Sequence, residues 1–202
     1  MSYKTYEVRV HDNGSKEWYL DGKRHREDGP ACEYADTACE YSDGIRQWYL
    51  NGKRHREDGP AVELADGSKE WYLNGNLHRE DGPAIEWYYG TKEWYFNDQL
   101  HREYGPAMEW DDGEKHWYLN GKHHREDGPA IEWRNGTKSW YLNGKRHRED
   151  GPAIEYFDGI KDWYLDGIRY TEEEYQKKQN KVTSCAGKVV QIDGRKYKLE
   201  EV

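Results

Sequence analysis

The side chains best suited to chemistry in this chain come in columns rather than in one constellation. The string HREDGP begins at His25, His55, His78, His124 and His147, with the variant HREYGP at His101. Nine histidines beside 40 Asp and Glu residues make a metal site the first candidate. Zinc needs ligands converging within about 2.0–2.3 Å of one ion. Two strands per unit, at about 4.8 Å each, would hold equivalent histidines roughly 10 Å apart. One His column cannot share an ion between neighbours, so the histidines read as structural and no cofactor is expected.

Paired carboxylates are the second candidate, since two of them can do general acid–base work. The pairs are Glu63/Glu70, Glu86/Glu93 and Glu155/Asp162. A catalytic site is normally singular, whereas these form a repeated row with drift. The rows Glu109–His116–Arg125 and Glu132–Ser139–Arg148 lack the pair altogether. A salt-bridged solvent face accounts for them better. No GxSxG, P-loop or dinucleotide fingerprint occurs, and the glycines are turn glycines. The chain is expected not to be an enzyme.

Recognition is the third candidate. Tyr49, Tyr72, Tyr95, Tyr118 and Tyr141 are expected to share a face with the Arg of each HRED string. Such residues can stack nucleic-acid bases, but every unit also carries several carboxylates, which disfavours nucleic acid. Protein recognition draws on the same types, with Tyr, Trp and Arg as frequent anchors. One unit, the fourth, departs from the consensus at several positions together: Tyr88, Tyr89, Phe96, Asp98, Gln99 and Tyr104. The candidate partner-binding residues are therefore Tyr72, Arg79, Tyr88, Tyr89, Tyr95, Arg102, Tyr104, Tyr118 and Arg125. A protein partner is the first expectation; a small ligand or glycan on the same Tyr/Arg face is the alternative.

The elements that must position these columns follow from the period. Trp18, Trp48, Trp71, Trp94, Trp117, Trp140 and Trp163 keep a 23-residue beat after a first interval of 30. A fixed period in this range marks an array in which each unit buries its faces only by stacking on neighbours. The long first interval contains a near-duplication, ACEYADT (31–37) followed by ACEYSDG (38–44), read as a tolerated insertion. Each unit carries two turn signals, Asn-Gly, Asp-Gly or a similar pair, such as Asp66-Gly67 and Asn74-Gly75, which favour two-residue hairpins. With two-residue loops, Ile85 faces Trp94 and Trp94 faces His101, while Glu86 faces Glu93 and Glu93 faces Arg102. The same registers predict Val62–Trp71–His78 with Glu63–Glu70–Arg79, and Ile131–Trp140–His147 with Glu132–Ser139–Arg148.

At 34% hydrophobic and 35% charged residues, composition alone argues for disorder. Ten Trp and 18 Tyr reverse that inference, because large aromatics bury much area each. A net charge of −9 disfavours non-specific binding to DNA or anionic membranes. No apolar run approaches the ~20 residues that span a bilayer, and MSYKTYEVRV lacks a secretory signal. Cys32, Cys39 and Cys185 are few and outside any CxxC pattern. The expected location is the cytoplasm.

After Tyr170 the pattern changes. Thr171 with Glu174 forms a capping box, and TEEEYQKKQN reads as a short helix. Residues 188–202 read as a hairpin turning at Asp193-Gly194. The expected organisation is a repeat array over 1–170 and a helix-plus-hairpin cap over 171–202, with a separate docking role for that cap as the rival reading.

The 23-residue period, the aromatic strand, the NGK turn and the following His, as in WYLNGKRH at 48–55 and 140–147, resemble the MORN repeat family. The resemblance covers roughly residues 12–170. It implies an all-β fold: an elongated antiparallel β-hairpin array of seven MORN-like units, used as a scaffold for protein or lipid contacts. Typical MORN units place Gly after the His, where Arg26, Arg56, Arg79, Arg102, Arg125 and Arg148 stand here. That departure weakens the implied lipid binding. The HREDGPA version is similar to a MORN-related subclass of phage and giant-virus proteins, which implies a viral protein acting in the host cytoplasm on a host defence protein.

Overall fold

A computed structural model of the chain describes residues 5–34, 44–183, 189–192 and 195–198. Part of the duplicated insertion, with Cys39, lies outside the described residues, as do Cys185 and the Asp193-Gly194 turn. The chain is a long antiparallel sheet of 16 strands with a short C-terminal helix. Each regular unit gives the long sheet two short strands, such as Ile85–Glu86 and Lys92–Glu93. It then turns back on itself in a separate two-stranded ribbon, such as Tyr95–Phe96 with Gln99–Leu100.

The second turn of each unit has the expected form. Asn51 and Gly52 have φ of 53° and 81°, the left-handed pair that a two-residue turn matching strand twist requires. Tyr49 accordingly pairs with Arg54, and Leu50 with Lys53. In unit four the pairing Tyr95 with Leu100, together with the His101 amide donating to the Trp94 carbonyl at 3.0 Å, sets Trp94 against His101 as expected.

The first turn differs from expectation by one residue. At 64–68 only Gly67 has a positive φ, of 93°. The Leu64 amide donates to the Ser68 carbonyl at 2.9 Å, the Gly67 amide to the Leu64 carbonyl at 3.1 Å, and the Ser68 amide to Asp66 Oδ1 at 2.8 Å. This is a three-residue loop whose last position is left-handed, tied by an Asx contact. Ile85 therefore faces Glu93, not Trp94, and Glu86 faces Lys92, not Glu93. Val62 likewise faces Glu70 and Glu63 faces Lys69, and Ile131 faces Ser139 and Glu132 faces Lys138.

This shift rewrites both rows. Glu63, Lys69, Glu86, Lys92, Glu109 and Lys115 follow one another across neighbouring strands, so opposite charges stand directly opposed, the favourable cross-strand arrangement. Successive residues point to opposite faces. The suspected pairs Glu63/Glu70, Glu86/Glu93 and Glu155/Asp162 are thus split between the two sides.

The core is a line of small and branched side chains. Ala61, Ala84, Ala107, Ala130 and Ala153 are fully buried, with Val62, Ile85, Ile131 and Ile154 beside them. Burying one such branched side chain is worth about 1.5–3 kcal/mol. The Ala carbonyls anchor the Trp strands: the Trp71 amide donates to Ala84, and Trp94 to Ala107, each at 2.8 Å.

The helix spans Glu172–Thr183. Its capping box is reciprocal, with the Thr171 amide donating to Glu174 Oε2 at 2.9 Å and the Glu174 amide to Thr171 Oγ1 at 3.3 Å. Beyond it, Val189–Ile192 pairs with Arg195–Lys198 in a two-stranded sheet of its own rather than extending the long one.

Candidate functional site

The HREDGP motif is the centre of a clamp on its own guanidinium. In unit three, Arg79 lies 4.0 Å from the ring centre of Trp71. Its Nε donates to Asp81 at 2.8 Å, and its Nη1 to the Pro83 carbonyl at 3.2 Å and Glu86 at 3.0 Å. The bound Arg holds the carboxyls of Asp58, Asp81 and Asp127 below the ordinary Asp value, through the hydrogen bond first and its charge second. Gly82 completes the clamp: a Cβ there would stand 2.8 Å from Arg79 Cζ. Close approach, not an unusual φ, is what a side chain would meet at this position, and the end of Arg79 would have to shift.

The histidines bind consecutive units together. His55 Nδ1 accepts the Asn74 amide at 3.1 Å, and His124 Nδ1 accepts the Asn143 amide at 3.1 Å. His25 does the same with Asn51, while Nδ1 of His101 faces both the amide and Oδ1 of Asn120, at 3.2 and 2.9 Å, and Nδ1 of His147 both the amide and Oδ1 of Asp166, at 3.1 and 3.0 Å. An imidazole can accept only while that nitrogen is unprotonated. Among the described residues no group of three or more His, Cys, Asp or Glu is arranged to hold a metal ion, and no helix is long and apolar enough to cross a membrane.

Between consecutive HREDGP loops the array opens into a row of similar clefts. The one between the loops at Arg56 and Arg79 measures about 800 Å³, with Trp71 and Leu73 in its lining. The next, from Arg79 to Tyr104, measures about 740 Å³ and has Trp94, Tyr95 and Phe96 in that position. A third, of about 710 Å³, uses Trp117 and Leu119, and a fourth, of about 740 Å³, uses Trp140 and Leu142.

These clefts sort the residues singled out in sequence. Arg79, Tyr95, Arg102 and Tyr104 meet around a single cleft, with Phe96 beside them; Arg125 joins Arg102 and Tyr104 around the next. Tyr104 is 88% exposed and belongs to both. It replaces the Asp that elsewhere holds the Arg Nε, so Arg102 keeps only its bonds to the Pro106 carbonyl and Glu109. Phe96 packs 4.6 Å from the His78 ring yet stays exposed.

The remaining candidates are not brought there. Tyr88 and Tyr89 sit in the other loop of the unit, exposed and edge to face at 5.2 Å. The Tyr88 amide is fixed by Ser68 Oγ of the preceding unit at 3.0 Å. Tyr72 and Tyr118 are half-buried packing residues: Arg54 donates to the Tyr72 hydroxyl at 3.2 Å, and Tyr118 lies 4.0 Å from the His123 ring. Tyr95, which does line the cleft, donates its hydroxyl to Glu93 at 2.9 Å. Burial raises the phenol of each, aided at Tyr72 and Tyr95 by Glu70 and Glu93. Arg79, Arg102 and Arg125 instead rest on Trp71, Trp94 and Trp117, so the expected shared face of Tyr and Arg is replaced by an Arg–Trp one.

Two further features arise from packing between residues separated in sequence. His116 and His123 lie 5.5 Å apart. Burial lowers both, and it pushes His123, with help from the charge of His116, down to about 4 from an ordinary 6.5. Tyr175 of the helix is 2% exposed. The only sequence signal for it is a lone aromatic in a charged helix.

No protein-family model matches the chain, and a search of curated proteins finds no match.

Proposed function

We propose that this protein is a non-enzymatic repeat scaffold that binds a protein partner, centred on unit four. The observation that carries this is the cleft at Trp94, where Arg79, Tyr95, Phe96, Arg102 and Tyr104 converge. Neighbouring clefts keep Leu and Asp at the positions of Phe96 and Tyr104. Aromatic and Arg side chains around a concave site are the usual anchors of protein interfaces. The resemblance of the HREDGPA units to MORN-related phage and giant-virus proteins extends the proposal: a viral protein that engages a host defence protein in the host cytoplasm.

Affinity purification from a lysate of the native cell tests it. A protein retained by the wild type, and lost when unit four is returned to consensus by Phe96→Leu with Tyr104→Asp, is the expected result. A second reading, a small-ligand or glycan receptor, is favoured by the volume and aromatic lining of the same cleft, since ligand pockets are typically of this size. Tight retention on a glycan array with no protein recovered would replace the first reading by the second.

A further inference from the structure

The helix Glu172–Thr183 does more at the end of the array than cover an edge. The Tyr175 hydroxyl donates to the Arg148 carbonyl at 2.9 Å and accepts the Gly151 amide at 3.2 Å. Arg148 and Gly151 belong to the last HREDGP loop. In earlier units the same loop forms a wall of an open cleft. The neighbouring Leu agrees. Leu165, in the strand Lys161–Leu165 against which the helix packs, is buried. Its counterparts Leu73, Leu119 and Leu142 are only half-buried and line open clefts. The chain therefore carries one filled copy of a site and several open ones.

In the open copies the same pair of backbone groups is presented. The carbonyls of Arg56, Arg79 and Arg125 and the amides of Gly59, Gly82 and Gly128 make no backbone–backbone hydrogen bond among the described residues. The rims are acidic: Glu57, Glu80, Glu126 and Glu149 are 85%, 82%, 83% and 80% exposed. In the filled copy, Lys178, three residues beyond Tyr175 on the helix, donates to the Tyr170 hydroxyl at 2.8 Å. Tyr170 stands where the motif's His would fall.

We propose that the open clefts each accept a tyrosine side chain from a helical segment of the protein partner, as the last accepts Tyr175. The phenol oxygen bridges the Arg carbonyl and Gly amide, and a Lys one helical turn later meets the acidic rim. This rests on the protein-binding reading above and specifies what such a partner presents.

The test uses the full chain and a peptide of residues 171–182 with Glu172, Glu173 and Glu174 replaced by Ala. Versions carrying Tyr, Phe and phosphotyrosine at position 175 are compared by amide NMR. The Tyr peptide is expected to move the Gly59, Gly82 and Gly128 amide signals. The Phe peptide should bind at least tenfold more weakly, and the phosphotyrosine peptide should not bind against the acidic rims. Equal binding of the Tyr and Phe peptides, or no shift with either, would overturn the inference. A purified partner that leaves these glycine amides unmoved also overturns it, while sparing the scaffold reading. Peptide binding with no protein partner recoverable has the reverse meaning.

Discussion

Each clamped guanidinium sits between an indole face and a glycine with almost no slack. Arg125 lies 4.0 Å from the Trp117 ring centre, and a Cβ on Gly128 would stand 2.9 Å from Arg125 Cζ. Gly128→Ala must therefore displace the Arg from its stack. A loss of about 0.5–1 kcal/mol is expected, the worth of a partly exposed cation–π contact; an unchanged thermal midpoint would show that the clamp has slack. A second prediction concerns the imidazole pair. His123 is held near 4, against an ordinary 6.5, so between those values the unfolded chain takes up the proton and the folded chain does not. Stability from this group is complete above pH 6.5 and is lost as pH falls toward 4. Wild type should lose stability across that window faster than His123→Gln, measured by denaturant unfolding at a series of pH values; parallel curves would contradict the assignment.

The hairpin is the scale at which sequence and structure part company. Asn143 and Gly144 adopt φ of 52° and 82°, so Asn143→Ala places a side chain without a local hydrogen bond in the left-handed region. It should cost about 1–2 kcal/mol in thermal unfolding, and an unaltered midpoint would argue against a left-handed residue there. The period, the second turn and the Trp–His opposition were legible because Asn-Gly next to WYL admits one common geometry. The first turn was not, since Asp-Gly serves both a two-residue turn and the last two positions of a three-residue loop. What separates them is the Asp66 contact to the Ser68 amide and the left-handed φ confined to Gly67, neither of which is visible in residue order. That one-residue difference turned the suspected Glu pairs into a Glu–Lys ladder. The candidate site was legible in part for a related reason. Departures from consensus marked Phe96 and Tyr104, but the Arg–Trp stack and the depth of Tyr175 depend on packing between units. Tyr175→Phe should cost about 1–3 kcal/mol, because the Arg148 carbonyl and Gly151 amide lose their partner; a neutral effect in unfolding experiments would mean that water replaces the phenol.

Along the array, units touch their neighbours through the His links, the Ala line and the Glu–Lys ladder. A lesion in one unit is therefore read by the next. The array repeats a scaffold, and unit four varies it at the cleft, so binding and stability can be separated by returning unit four to the pattern of its neighbours. Tyr104→Asp restores the Asp that Arg26, Arg56, Arg79, Arg125 and Arg148 already bind, and Phe96→Leu restores the usual cleft Leu. The most direct measurement is the affinity of the captured partner for wild type and for this double variant, beside their thermal midpoints. At least a tenfold loss of affinity with the midpoint kept or raised is the predicted result. Equal affinity in the two proteins would contradict the claim that unit four is where this scaffold holds its partner.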